Sequence, residues 1–149
     1  MTIHFSSDLV IKLVFATLFG GLLGLEREIH GRPAGLRTHL LVSLGAAAFM
    51  MMSPVISRMN LDFQGDPGRI AAQIVTGIGF LGAGAIVKEG VNIHGLTTAA
   101  CLWVAAAIGM ACGAGLFTEA ILITILAITA LVLLPYVEII FKKHSYRVL

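Results

Sequence analysis

Polar and apolar positions in this chain alternate in long blocks, not with the short periods of amphipathic elements. Arg37 and Arg58 enclose 20 residues free of Asp, Glu, Lys and Arg, Arg69 and Lys88 enclose 18, and Glu119 and Glu138 enclose 18 more. A helix rising 1.5 Å per residue crosses about 30 Å of hydrocarbon in about 20 residues, so each interval predicts one crossing. A first span runs from Leu9 to Leu25 provided Lys12 lies within a turn of the surface, where its stem carries the ammonium to water. From Gly90 to Thr118 there are 29 uncharged residues, too many for one crossing. The run Cys112, Gly113, Ala114, Gly115, followed by Glu119, marks a turn there, with a fourth span at Leu96 to Ala111 and a fifth at Ala120 to Val137. Lipid demands that backbone polar groups be satisfied inside helices or closed barrels, and the alternation of a barrel is absent. The predicted fold is therefore an all-α integral membrane protein, a compact bundle of about five transmembrane helices over residues 1–141 with a short basic tail at 142–149.

Local signals sharpen these bounds. Asp66 followed by Pro67 reads as a cap and first-turn pair, and Thr38 and Thr97 as caps of spans two and four. Pro54 is expected to kink or end span two, while Gly31, Pro33 and Gly35 break the segment from Glu26 to Arg37 into a polar loop. Composition agrees: 58% of residues are hydrophobic and 12% charged, which excludes a soluble domain. The net charge of +2 is a topology signal, with no basic patch suited to nucleic acid. With the N-terminus outside, Arg27, Arg32, Arg37, Lys88, Lys142, Lys143 and Arg147 lie inside, against Lys12, Arg58 and Arg69 outside, so N-out/C-in is expected. No basic n-region or small-residue cleavage site suggests a removed leader.

Candidate chemistry concentrates in two places. Asp66, Arg69, Gln73 and Thr76 fall within about an 80° arc of span three, a polar stripe entering the bilayer from outside. At the inner side, Glu26 and Arg27 end span one where Arg37 and Thr38 begin span two, and Thr97 and Thr98 open span four nearby. These groups form either an ion-paired hairpin mouth or a contact and gating cluster. Trp103 sits too deep for an interface belt, so its indole N–H is expected to face another helix. The glycine pairs Gly20/Gly24 and Gly109/Gly113, with Gly77, Gly79, Gly82 and Gly84, are candidates for close helix packing. Gly77, Gly79 and Gly82 also spell G-x-G-x-x-G, but no strand precedes it and no acid follows at the spacing a ribose needs, so no nucleotide is expected. Cys101 and Cys112 lie about 16 Å apart along one helix, beyond disulfide reach, and read as packed thiols. His30, His39 and His94 form no ligand pattern and read as solvated loop residues. No metal-ligand set is assigned.

Three segments, GLEREIHGRPAGLRTHLLVSLGAA from Gly24, DPGRIAAQIVTGIGFLGAGAI from Asp66 and GLTTAACLWVAAAIGMACG from Gly95, resemble the signature blocks of the MgtC/SapB family. The resemblance implies a multi-pass protein of the bacterial inner membrane, in a family some of whose members are associated with growth at low magnesium and survival inside host cells. It also implies that Glu26, Arg27, Arg37, Thr38, Asp66, Arg69, Gly77, Gly82, Thr97, Thr98 and Trp103 hold characteristic family positions. Ending soon after span five, the chain is expected to be a short member without the soluble C-terminal domain of longer ones.

Two function classes follow. The first is a nonenzymatic modulator of ion homeostasis, linked to magnesium, that contacts another integral membrane protein or a second copy of itself, for example as a homodimer, within the lipid bilayer. The second is a Mg²⁺ transporter or channel with Asp66 and Gln73 at the outer mouth and Glu26 at the inner one, a thin pathway for an ion that wants several oxygen ligands. No HExxH, GxSxG or paired intramembrane acid suggests an enzyme, and no cofactor is expected.

Overall fold

The computed structural model describes residues 7–59, 66 and 68–145, with side chains at 7–58, 66 and 68–137. Pro67 and residues 146–149 of the expected tail, including Arg147, lie outside the described residues, as do the side chains of Lys142 and Lys143. Five helices follow in order: α1 Ser7–Ile29, α2 Leu36–Met59, α3 Arg69–Ala85, α4 Leu96–Ala114 and α5 Phe117–Ser145. Four of them are long and apolar enough to cross a membrane, while α3 has 17 residues, about 25 Å. Large apolar side chains cover the outside, among them Leu126 at 67% and Leu133 at 54% exposure on α5. In a membrane these face lipid, so cohesion must come from close packing and hydrogen bonds between helices.

Small residues supply that packing. A Cβ on Gly24 would lie 2.8 Å from the Cα of Leu36, and one on Gly20 would overlap the Ser43 side chain, so α1 and α2 meet backbone to backbone. On the other side of α2, a Cβ on Gly113 would lie 2.6 Å from the Ala47 carbonyl oxygen, and one on Gly109 would strike the Ser43 backbone. The order Ser43 with Gly109, then Ala47 with Gly113, makes α2 and α4 parallel. Ser43 Oγ also donates to the Ala16 carbonyl at 2.8 Å, tying α1 to the same point. Cys101 and Cys112 are both buried and free in this core.

Several ends differ from the sequence reading. The polar loop expected from Glu26 shrinks to residues 30–35, because α1 continues to Ile29 and carries Glu26 and Arg27 inside it. Its closure comes from Glu28 Oε2, which accepts the Leu36 N–H at 3.0 Å, so Thr38 lies within the first turn of α2 and is not its cap. Likewise Gly95, at φ +87°, precedes α4 and leaves Thr97 inside its first turn. The start of α3 is shifted too: Asp66 Oδ1 accepts the Gly68 N–H at 2.7 Å, and Gly68 takes the cap position. Pro54 does not end α2, which runs on to Met59. Gly115, at φ +82°, ends α4 with its own N–H on Cys112 and the Leu116 N–H on Ala111, narrowing the expected four-residue turn to one glycine.

A short antiparallel hairpin, β1 Val87–Glu89 with β2 Asn92–His94, joins α3 to α4 where only a connection was expected. Gly90, at φ +61°, turns it, and its alternating β-branched residues are the signal that was passed over. The hairpin folds α3 back along α4, where a Cβ on Gly82 would meet Ala99 at 3.6 Å. Helix α3 therefore runs antiparallel to both α4 and α2.

Candidate functional site

Buried charge marks one end of the bundle. Glu26 and Arg27, 8% and 4% exposed, are adjacent in α1 and pair through two hydrogen bonds, Arg27 Nη2 to Glu26 Oε1 at 2.8 Å and Arg27 Nε to Glu26 Oε2. His30, half exposed one turn on, places Nδ1 3.1 Å from Glu26 Oε1. Thr98 and Cys101 of α4 are buried on the same side of the bundle. Arg37, Thr38 and Thr97 are exposed, so the inner cluster divides into a sealed pair and an open rim.

His39 corrects the expectation of a solvated loop histidine: it is fully buried beneath Gly24. Its Nδ1 donates to the Gly35 carbonyl at 2.9 Å, and Nε2 has no hydrogen-bond partner among the described residues. The extension of α1 and α2 around a tight loop put this residue inside, and glycine at 24 is the signal that a bulky group had to fit there. Trp103 is 52% exposed, half of it open to the surroundings of the bundle. The buried side of α4 is already filled by Ala105, Ala106, Ile108 and Gly109, which leaves the indole on the other side.

The polar stripe lies on the edge of α3. Asp66, Arg69, Gln73 and Thr76 are all exposed, and Gln73 lines an apolar groove of about 500 Å³ between α2 and α3. Gly45 of α2 and Gly77 of α3 open this groove, since a Cβ on either would meet nothing within 4 Å. Gly79 and Gly84 are equally free of neighbours, so three of the four α3 glycines expected to pack helices do not do so within the chain. At the far end of α1, Lys12 pairs with Asp8 at 2.8 Å, reaching back toward the helix start. Among the described residues no group of three or more His, Cys, Asp or Glu could hold a metal ion.

Comparison with known proteins covers nearly all of this architecture. The MgtC family model matches residues 13–140. A protein of Brucella abortus (strain 2308) named Protein MgtC is 50% identical over 129 residues, 86% of this chain and 52% of that protein. Protein MgtC of Salmonella typhimurium (strain LT2) is 50% identical over 125 residues, 84% of this chain and 52% of its own length. The chain thus spans about half the length of these curated relatives, and no solved structure matches it. With the family model and half-identical relatives both running through α1 to α5, the chain belongs to the MgtC family.

Proposed function

We propose that this chain is a nonenzymatic modulator of ion homeostasis in a bacterial inner membrane, working through contact between α3 and a helix of another integral membrane protein. The observation that carries this reading is the outward face of α3. Ala72, Thr76, Gly79 and Ala83 are all exposed, and at spacings of four, three and four residues they share about a 60° arc. Such a small-residue seam lets a neighbouring helix approach to backbone distance, where packing gains its strength in lipid. Phe80, 81% exposed beside the seam, offers a large anchor to the same partner. The excess of basic residues around the α1–α2 turn, Arg27, Arg32 and Arg37, and near the C-terminal end, Lys142, Lys143 and Arg147, supports an N-out/C-in arrangement.

Reconstitution tests it. The chain alone in liposomes carries no Mg²⁺ and leaves the membrane potential unchanged, and Gly79→Ile removes its effect on cellular ion content while membrane insertion stays normal. Mg²⁺ flux by the chain alone, abolished by Asp66→Asn, would replace modulation with transport.

A further inference from the structure

The hairpin that joins α3 to α4 has two unlike faces. Side chains alternate along a strand, so the pairs Val87 with His94 and Glu89 with Asn92 share one face, and Lys88 pairs with Ile93 on the other. Val91, 96% exposed, stands at the tip. One face is therefore mainly polar, while the other joins an apolar side chain to the long stem of a lysine. All six strand residues are exposed, so the bundle covers neither face. Two strands without a packed face are marginal in water, and this hairpin needs a surface to lie on.

Depth and continuity identify that surface. With Arg69 at one membrane surface, the 17 residues of α3 end about 5 Å short of the far edge of about 30 Å of hydrocarbon. Ile86 and Val87, extended at about 3.3 Å each, cover the remainder and bring Lys88 to the phosphates. Ile86 before the hairpin and Leu96 after it are exposed parts of the lipid-facing surface, and Val87 and Ile93 prolong it. The sheet has two strands among the described residues, so their outer edges carry backbone groups that hydrocarbon cannot satisfy. The hairpin thus stays in the layer where water persists.

We propose that the β1–β2 hairpin lies flat in the lipid headgroup layer of the leaflet that the C-terminal end of α3 reaches. Ile93 and Val91 meet the hydrocarbon edge, the Lys88 ammonium reaches back to lipid phosphate, and Glu89, Asn92 and His94 face water. Charge complementarity sets which face goes down: the lysine attracts phosphate, and the carboxylate on the opposite face is repelled by it. So placed, the hairpin holds the junction of α3 and α4 at a fixed height in the membrane.

Nitroxide labels on single cysteines test this in the full chain, with the buried Cys101 and Cys112 replaced by alanine, in vesicles of phosphatidylethanolamine and phosphatidylglycerol. Leu126→Cys on α5 supplies the lipid-facing reference for an inserted, folded chain. For Val91→Cys and Ile93→Cys, power saturation should show more collisions with dissolved oxygen than with a nickel chelate, and for Glu89→Cys and Asn92→Cys the order should reverse. Adding Lys88→Glu should shift the label at 93 toward the nickel chelate. Nickel collisions prevailing at all four positions would mean a hairpin standing in water, and few collisions with either reagent at 91 and 93 would mean a protein partner or second copy on that face. Either result, oxygen prevailing at all four, or a label at 93 unmoved by Lys88→Glu would overturn the assignment.

Discussion

Ser43 ties α2 to two other helices: its hydroxyl holds Ala16 of α1, its side chain fills the space above Gly20 of the same helix, and its backbone fits against Gly109 of α4. A methyl group at Gly109 has no flexible neighbour to displace, so Gly109→Ala should cost about 1–3 kcal/mol, seen as a lower melting temperature in detergent. The same change at Gly77 or Gly79 meets nothing within the chain and should leave melting unchanged. The pair Glu26 and Arg27 makes a second residue-scale test. Because both are buried, Arg27→Met alone should destabilise by about 3–5 kcal/mol by leaving the Glu26 carboxylate with only the half-exposed His30 beside it, whereas Arg27→Met with Glu26→Leu should recover most of it. Chemical denaturation in mixed micelles reads both. The sequence made these two residues visible as charges at a span end but not as buried ones, since burial depended on α1 extending one more turn. His39 was hidden for the same reason: nothing local distinguishes a histidine one turn inside a helix hairpin from one in the loop before it.

At the scale of elements, the uncharged intervals located all five helices, because lipid penalises charge and backbone exposure more strongly than any local propensity. Ends were less legible. Caps were expected from threonines, yet α2 is closed by Glu28 from the preceding helix and α4 by a left-handed glycine, devices that depend on chain reversal and not on the residue at the boundary. Gly95 is the sharpest case, since its φ of +87° disfavours a side chain and a Cβ there would overlap the Ala85 carbonyl. Gly95→Ala should therefore disrupt the junction between α3, the β1–β2 hairpin and α4, increasing protease cleavage between residues 85 and 96 while leaving α1 and α2 protected. The glycines of α3 taught the opposite lesson: a glycine-rich span reads as a packed central helix, but Gly77, Gly79 and Gly84 open outward because α3 leans on α4 through Ile78 and Gly82.

For the whole molecule, a core made of glycine, alanine and serine contacts holds α1, α2 and α4 together, and α3 is left with two opposite faces open. One lines the apolar groove beside α2 and the other is the small-residue seam. The bundle with its family membership could be read from composition and three motif blocks; the division of α3 into two open faces could not, because it depends on which side α4 covers. The proposed role in modulating another membrane protein depends on that division. Photocrosslinking from single positions along α3 in living cells measures it most directly. Adducts to a second membrane protein should appear from positions 72, 76, 79 and 83 and fade at 74, 78 and 81, following the helical repeat of the seam. Adducts spread evenly around α3, or none from the seam, would contradict it.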